Sequence, residues 1–233
     1  MIDYLDSITL DWRDFEGAAH RSREIVSALA ADKEALRTLF DRVEASPALQ
    51  ALAERHQLLD YVVLYDAVDR GFRIRLHAAT DDHFDRPHDH RFSFSSYILA
   101  GTYCHTWYRP LPEVYALPDE RLVGFIDRAH PDRETPVDLN MCQPYVVRHE
   151  TVGSCYSLHH TALHTTFTTA NTASLFLRGP IEKRRSVIVD LDTRTLWWRF
   201  GRTDEPGSRR QSKVMPGDAR RQLRHQFEAL GVL

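Results

Sequence analysis

The sequence predicts a mainly β chain with helical segments at both ends. Short stretches of β-branched, aromatic and alternating residues follow one another from about residue 61 to residue 200, and turn residues separate them. This region contains no alternation of strand and helix patterns, so a parallel α/β sheet is not expected. Short strands separated by turns are typical of a sandwich or a barrel, and we expect residues 61–200 to form one.

Residues 1–60 are predicted to form a helical extension that packs on this β region. Helical spacing begins near residue 16, and the apolar residues that carry it are Ile25, Val26, Leu29, Leu36, Leu39, Phe40 and Val43. Asp32 is placed to cap the second helix, and Pro47 suits the first turn of a third. Two or three short helices are therefore expected between residues 16 and 58.

The segment FRIRLHAA shows the clearest strand periodicity. Phe72, Ile74 and Leu76 fall on one face, and Arg73, Arg75 and His77 fall on the other. The further strand candidates are residues 92–100, 102–108, 145–148, 154–158, 164–168, 173–178, 186–190 and 195–200. These candidates supply enough strands for a closed or two-sheet structure.

Two segments interrupt or follow the strands. Residues 109–144 contain six prolines and form a long insertion, which we expect to act as a lid over the mouth of the barrel. Residues 202–218 are polar and predict a loop. The chain then ends in a predicted helix with Leu223, Phe227 and Leu230 facing inward. Residues 201–233 are thus expected to add a loop and one helix.

Charge and composition exclude several classes of protein. The net charge is −3 and the isoelectric point is near 6.5, which gives no electrostatic support for nucleic-acid binding. No apolar run approaches the length of a membrane-spanning helix. The first residues lack the order of a secretory signal, and the three cysteines have no metal-type spacing. These features favour a cytoplasmic protein with reduced thiols.

Histidine is the unusual residue, because the chain has 13 and ten of them lie between His77 and His164. In Pro87-His88-Asp89-His90, two histidines at positions i and i+2 of an extended segment point to the same side. A third ligand must come from elsewhere, and His159, His160 and His164 are the candidates. Three neutral imidazoles with open positions would form a reactive metal site rather than a closed structural one.

These residues also carry a family resemblance. PHDHRFSFSSYILAG resembles the first cupin motif, and the stretch from Gly153 to His164 with the following strand resembles the second. The resemblance covers about residues 60–200 and implies a double-stranded β-helix, or jelly-roll barrel. It also implies that His88, His90 and His164 bind the metal, with His160 or His159 as the alternative third ligand. The acidic position of the first motif falls at Phe94 or Ser95, so the implied site has no carboxylate ligand.

A site of three histidines is similar to that of the thiol dioxygenases and related non-haem iron oxygenases. The resemblance therefore implies an Fe(II) enzyme that acts on a small polar metabolite such as an amino acid, with Zn, Mn or Ni as other metals. Two alternatives are a zinc cupin that catalyses a non-redox isomerisation or rearrangement in natural-product biosynthesis, and a non-catalytic metabolite-binding cupin. Analogy with cupins that pair through their sheets also suggests a homodimer.

Further side chains are predicted to act around the metal. Alternation places Tyr103, His105 and Trp107 on one strand face, and an inward arginine could hold a substrate carboxylate as a bidentate partner. The predicted catalytic residues are Tyr97 and His105. The predicted substrate-binding residues are Arg73, Arg75, Arg91, Tyr103, Trp107 and His160.

Overall fold

The computed structural model describes residues 1–55, 59–109, 135–136, 143–192, 195–201, 204 and 206–233. Its helices are α1 (Ile2–Ser7), α2 (Phe15–Ala31), α3 (Lys33–Ala45), α4 (Pro47–Gln50), α5 (Gly207–Lys213) and α6 (Gly217–Ala229). Its strands are β1 (Asp60–Ala67), β2 (Phe72–Ala79), β3 (His83–Phe84), β4 (Phe94–Ala100), β5 (Tyr103–Tyr108), β6 (Thr135–Pro136), β7 (Pro144–Glu150), β8 (Cys155–Leu158), β9 (His164–Thr168), β10 (Thr172–Arg178), β11 (Arg185–Asp190) and β12 (Thr195–Phe200).

The N-terminal helices start where capping residues stand. The carboxylate of Asp14 accepts the amide of Gly17 at the start of α2, and the carboxylate of Asp32 accepts the amide of Ala35 at the start of α3. Pro47 occupies the first turn of α4, as its spacing predicted. The apolar faces of α2 and α3 pack on one sheet, so these short helices are stabilised by the barrel that they cover.

The first sheet is antiparallel and has the strand order β1-β2-β10-β4-β8. One face of this sheet joins the main hydrophobic core with the helices, and Ile74 and Leu76 of β2 are fully buried there. The opposite face carries Phe94, Tyr156 and Phe176, which form a second apolar cluster inside the barrel. The alternation of side chains along each strand therefore separates a helix-facing layer from a barrel-facing layer.

The second sheet lies across the barrel and is built from two antiparallel groups, β3-β9-β5-β7 and β11-β12-β6. Residues 87–89 join the two groups. The amide of His88 donates to the carbonyl of His164 at 2.8 Å, and the amide of Val189 donates to the carbonyl of Pro87 at 2.8 Å. The segment that contains the two nearby histidines is thus part of the barrel wall, paired on both sides.

The prediction of a mainly β chain with two-sheet antiparallel architecture and terminal helices is confirmed. The predicted strands occur within two residues of their expected ends, and Asp32 caps α3. Nearly all of the proline-rich 109–144 insertion, with its expected role as a lid, lies outside the described residues.

One helix was not singled out in the sequence, and one local expectation was wrong. The helix α1 precedes the region where helical spacing was recognised, because its single buried apolar residue, Leu5, gives no periodic signal. The helix α5 lies inside the segment expected to be a loop, and none of its residues is buried. Among the residues that the structure describes, no helix combines the length and the apolar character that a membrane span requires.

Candidate metal centre

The predicted ligands His88, His90 and His164 converge inside the barrel. One potential ligand atom from each of the three residues lies within 4.8 Å of the others. The ring centroids of His88 and His164 are 4.7 Å apart, and those of His90 and His164 are 5.1 Å apart. His88 and His90 come from one extended segment, whereas His164 opens β9, so backbone pairing between the two segments brings the set together.

Backbone carbonyl groups fix the orientation of two of the rings. The Nδ1 atom of His88 donates to the carbonyl of Arg86 at 2.9 Å, and Nδ1 of His164 donates to the carbonyl of Ala162 at 3.2 Å. A proton on Nδ1 leaves the lone pair on Nε2, the atom that would bind a metal. The Nε2 atom of His90 is buried and has no hydrogen-bond partner. The donor set therefore fits a divalent transition metal.

Burial favours the neutral form of two of the imidazoles, His90 and His164. Burial lowers the pKa of His90 well below its usual value, and the neighbouring His88 and His164 lower it further. Burial likewise lowers the pKa of His164, together with His88 and His105. Because a protonated imidazole has no lone pair to offer, a lowered pKa preserves metal-binding capacity in mildly acidic solution.

Asp89 stands between the two nearby histidines, but its side chain points away from them. Its carboxylate accepts the amide of Val187 at 2.9 Å and forms an ion pair with Lys183. The residue is 1% exposed, so this pairing is a buried one. Asp89 therefore anchors the His-x-His segment to β11 and holds both histidines in place from behind.

A second carboxylate, Asp85, lies on the other side of the same segment. Its Oδ1 accepts the amide of Thr166 at 2.5 Å, and its Oδ2 lies 3.8 Å from Nδ1 of His88. Burial raises the pKa of Asp85, and His88 opposes that change. Sequence reasoning missed Asp85 and Asp89 as supporting groups, although their positions beside His88 and His90 were a usable signal.

A fourth histidine faces the cluster. His105 of β5 is 1% exposed and stacks on His164, with ring centroids 5.5 Å apart and an interplanar angle of 16°. Both of its ring nitrogens are buried and have no hydrogen-bond partner, and burial lowers its pKa to about 3. An imidazole with two unsatisfied nitrogens beside the candidate metal centre is placed to form a hydrogen bond with a bound ligand.

Two neighbours of His105 share its face of β5. The hydroxyl of Tyr103 bonds the hydroxyl of Ser174 at 3.0 Å inside the barrel. Trp107 packs against the barrel cluster, and its buried indole N–H has no hydrogen-bond partner. The face predicted by alternation is therefore the one that points into the barrel.

The structure does not bring every predicted residue to this centre. Tyr97 lies on the helix-facing side of β4 and packs against the main core, because Ser96 and Ile98 occupy the alternating positions inside the barrel. Arg91 lines a surface pocket of about 330 Å³ with Lys183 and Arg184. Both residues are therefore separated from the three histidines by the barrel wall.

The three predicted residues His159, His160 and His164 also separate. His159 and His160 form a second group with Glu182, and Nδ1 of His160 lies 3.0 Å from a carboxylate oxygen of Glu182. His159 packs edge-on against Phe15 of α2. This second group belongs to the junction with the helices, whereas His164 faces the barrel interior.

The inner face of β2 and β10 carries further charge. Arg73 forms a two-point ion pair with Asp66, at 2.9 and 2.8 Å, and Arg75 lies one pleat further along the same face. Arg178 of β10 joins them and is 5% exposed. Sequence reasoning missed Arg178, although its alternation with Phe176 on SLFLR was a signal that it faces inward.

No family model and no curated protein matches the chain. Solved structures do match in part. They include KdgF from Halomonas sp., which is 9% identical, with 54% of this chain and 82% of that chain covered and a TM-score of 0.34. An RmlC-like cupin from Shewanella frigidimarina matches at 12% identity, with 55% of this chain and 82% of that chain covered and a TM-score of 0.35. The polyketide cyclase RemF from Streptomyces resistomycificus matches at 16% identity, with 60% of this chain and 80% of that chain covered and a TM-score of 0.37. One of these similar structures is described as an RmlC-like cupin.

Proposed function

We propose that this protein is a mononuclear metal-dependent enzyme, a non-haem Fe(II) oxygenase that acts on a small polar metabolite. The observation that carries the proposal is the convergence of three buried or half-buried imidazoles whose ligand atoms lie within 4.8 Å of one another. The same described group contains no carboxylate. Three nitrogen ligands would leave positions open on the metal for both a substrate and dioxygen.

The metal, held by His88, His90 and His164, would supply an ordering centre for substrate and dioxygen and a route for electrons between them. The chain itself contributes neutrality and fixed geometry. The carbonyls of Arg86 and Ala162 hold the rings of His88 and His164 in the tautomer that leaves Nε2 free for a metal. These two rings would therefore not need to rotate when a metal binds.

His105 would form a hydrogen bond or exchange a proton with the bound substrate. Its lowered pKa makes the ring neutral at pH 7, so one nitrogen donates a hydrogen bond and the other accepts one. A neutral ring can therefore stabilise a substrate oxygen by donation or take a proton from a substrate hydroxyl or thiol. The aromatic side chains of Phe94 and Tyr156 keep this part of the barrel apolar.

Zinc in the same three histidines is the second candidate, because histidine nitrogens suit zinc as well as iron. Zinc would act as a Lewis acid and would not need dioxygen. The metal then decides between a redox reaction and a non-redox isomerisation or rearrangement.

The test uses purified chain loaded anaerobically with Fe(II). Nitric oxide serves as a dioxygen surrogate, and we expect an electron paramagnetic resonance signal of a high-spin iron–nitrosyl centre. The signal should be lost in His164→Ala and kept in the matched variant His159→Ala. A panel of amino acids and thiols is then screened with an oxygen electrode. Oxygen uptake only with Fe(II) supports the oxygenase, whereas full turnover with Zn(II) in the absence of dioxygen overturns it.

A further inference from the structure

Two arginines share the inner face of the barrel beyond the metal centre. Arg75 of β2 and Arg178 of β10 both contact the ring of Phe92, with their Cζ atoms 5.9 and 4.9 Å from its centroid. The Nε atom of each guanidinium is buried and has no hydrogen-bond partner. One N–H of Arg178 donates to the carbonyl of Gly179 at 2.8 Å. A guanidinium has five N–H donors, so this bond uses only part of its donor capacity.

The charge around these arginines is unbalanced. The charges of Arg75 and Arg73 both act on Arg178, and the carboxylate that acts on Arg178 is Asp66. Asp66 already forms the two-point ion pair with Arg73. Burial, followed by the charges of Arg75 and Arg73, lowers the pKa of Arg178 to about 8. Arg178 is buried and Arg75 is half-buried, and a buried charge beside a like charge is costly unless an anion joins them.

We propose that Arg75 and Arg178 form a binding site for the carboxylate of the substrate. The inference rests on the proposed function only in placing that substrate at the metal; the anion site itself stands on the two arginines. A guanidinium pair offers parallel N–H groups that match the two oxygens of a carboxylate, and the buried surroundings strengthen such charge-assisted bonds.

The wall between the arginines and the metal is aromatic. The ring of Phe92 lies 5.9 Å from that of His90 and 6.2 Å from that of Phe176. Phe176 in turn lies 4.4 Å from Phe94, which contacts His90 at 4.8 Å. A ligand that reaches from the metal to the arginines must pass along these rings. The substrate class is therefore an organic acid with an apolar or aromatic body, a carboxylate at one end and a metal-binding polar group at the other.

The experiment measures binding to the Zn(II)-loaded chain, because zinc holds the site without redox chemistry. The probes are phenylacetate, its neutral amide phenylacetamide, and phenyl phosphate, each titrated by calorimetry at pH 7. We expect phenylacetate to bind at least tenfold more tightly than the amide. Tighter binding of phenyl phosphate than of phenylacetate would overturn the carboxylate assignment.

The variants Arg75→Met and Arg178→Met should each weaken phenylacetate binding at least tenfold while keeping the zinc content. The matched control is Arg13→Met, which removes an exposed arginine that pairs with Asp11, changes the net charge by the same amount and should keep affinity within about twofold. Equal affinity for phenylacetate in the wild type and in both arginine variants overturns the inference.

If an arginine variant does not fold, the wild-type chain still decides the matter. Phenylacetate should raise the melting temperature, and phenylacetamide at the same concentration should not. Equal shifts with both probes overturn the inference. The oxygenase proposal fails separately: arginine-dependent binding of phenylacetate by a protein that is fully active with Zn(II) and no dioxygen leaves the anion site standing.

Discussion

The backbones of His88 and His164 exchange two hydrogen bonds, of 2.8 and 2.9 Å, and their rings face each other at 4.7 Å. Two candidate ligands from distant parts of the chain are thus held by main-chain pairing rather than by side-chain contacts. This pairing has both histidines directly opposite each other on adjacent strands, where side chains share one face. A metal would add a bond to an arrangement that strand pairing already holds.

The first prediction concerns metal content. We expect the purified chain to bind close to one divalent transition metal, and the double change His88→Ala with His90→Ala to abolish binding, because two of three ligand nitrogens are removed. Elemental analysis of protein prepared without a histidine tag measures the stoichiometry. The control is His225→Ala, whose side chain is exposed on α6. A folded double variant with full metal content contradicts the site.

The second prediction separates the two histidine groups. His164→Ala should weaken metal binding by more than a hundredfold, since it removes a ligand that faces His88 and His90. His159→Ala should change it by less than about threefold, because His159 contacts His160 and Phe15 instead. Competition with a chelator of known affinity ranks the two variants, and the reverse ranking would move the metal to the group at residues 159–160.

The third prediction concerns the pH dependence of stability in the metal-free protein. The pKa of His105 is lowered from 6.5 to about 3 in the folded state. The unfolded chain therefore binds the proton first, and the free energy of unfolding falls as the pH drops from about 6.5 towards 3. Between pH 7 and pH 5, protonation of this one group in the unfolded chain should lower the free energy of unfolding by about 2 kcal/mol.

The measurement is urea unfolding at pH 7 and pH 5 in the presence of a chelator. His105→Phe replaces the titrating ring with an apolar ring, so the loss of stability between these two pH values should be about 2 kcal/mol smaller than in the wild type. Parallel pH profiles for the two proteins would show that His105 does not titrate with a lowered pKa.

The fourth prediction concerns Asp89. Asp89→Asn removes the charge that pairs with Lys183 and should lower the free energy of unfolding by about 3 kcal/mol, because a partly buried ammonium loses a buried, charged pairing group. Metal affinity should fall between tenfold and a hundredfold, since the histidines on either side lose their anchor. Chemical unfolding and chelator competition measure the two effects.

The double variant Asp89→Asn with Lys183→Met serves as the control for Asp89. It removes both charges, so the free energy of unfolding should recover in large part while the metal affinity stays reduced. If the single variant is as stable as the wild type and binds metal equally well, the pair does not support the site.

Much of the architecture follows from residue order alone. The alternation in FRIRLHAA predicted a strand with arginines on one face, and the structure has β2 with that division. Asp32 predicted the start of α3 through its capping carboxylate. The spacing of His88 and His90 predicted rings on one side of an extended segment. Each of these features depends on neighbours within a few residues, so a local pattern is enough to reveal it.

Other features were decided by the tertiary structure. Alternation groups Tyr97 with other residues of β4, but only the packing of the helices shows that its face is turned away from the barrel. The motif resemblance favoured His164 over His159 and His160, but the pairing of residue 88 with β9 is what determines which ring faces His88. Arg178 reaches Arg75 and Phe92 because β10 pairs with β2 across a long separation in sequence. Strand periodicity is a property of a few consecutive residues, whereas the register between distant strands and the side of a sheet that becomes the interior are set by the packing of the whole chain.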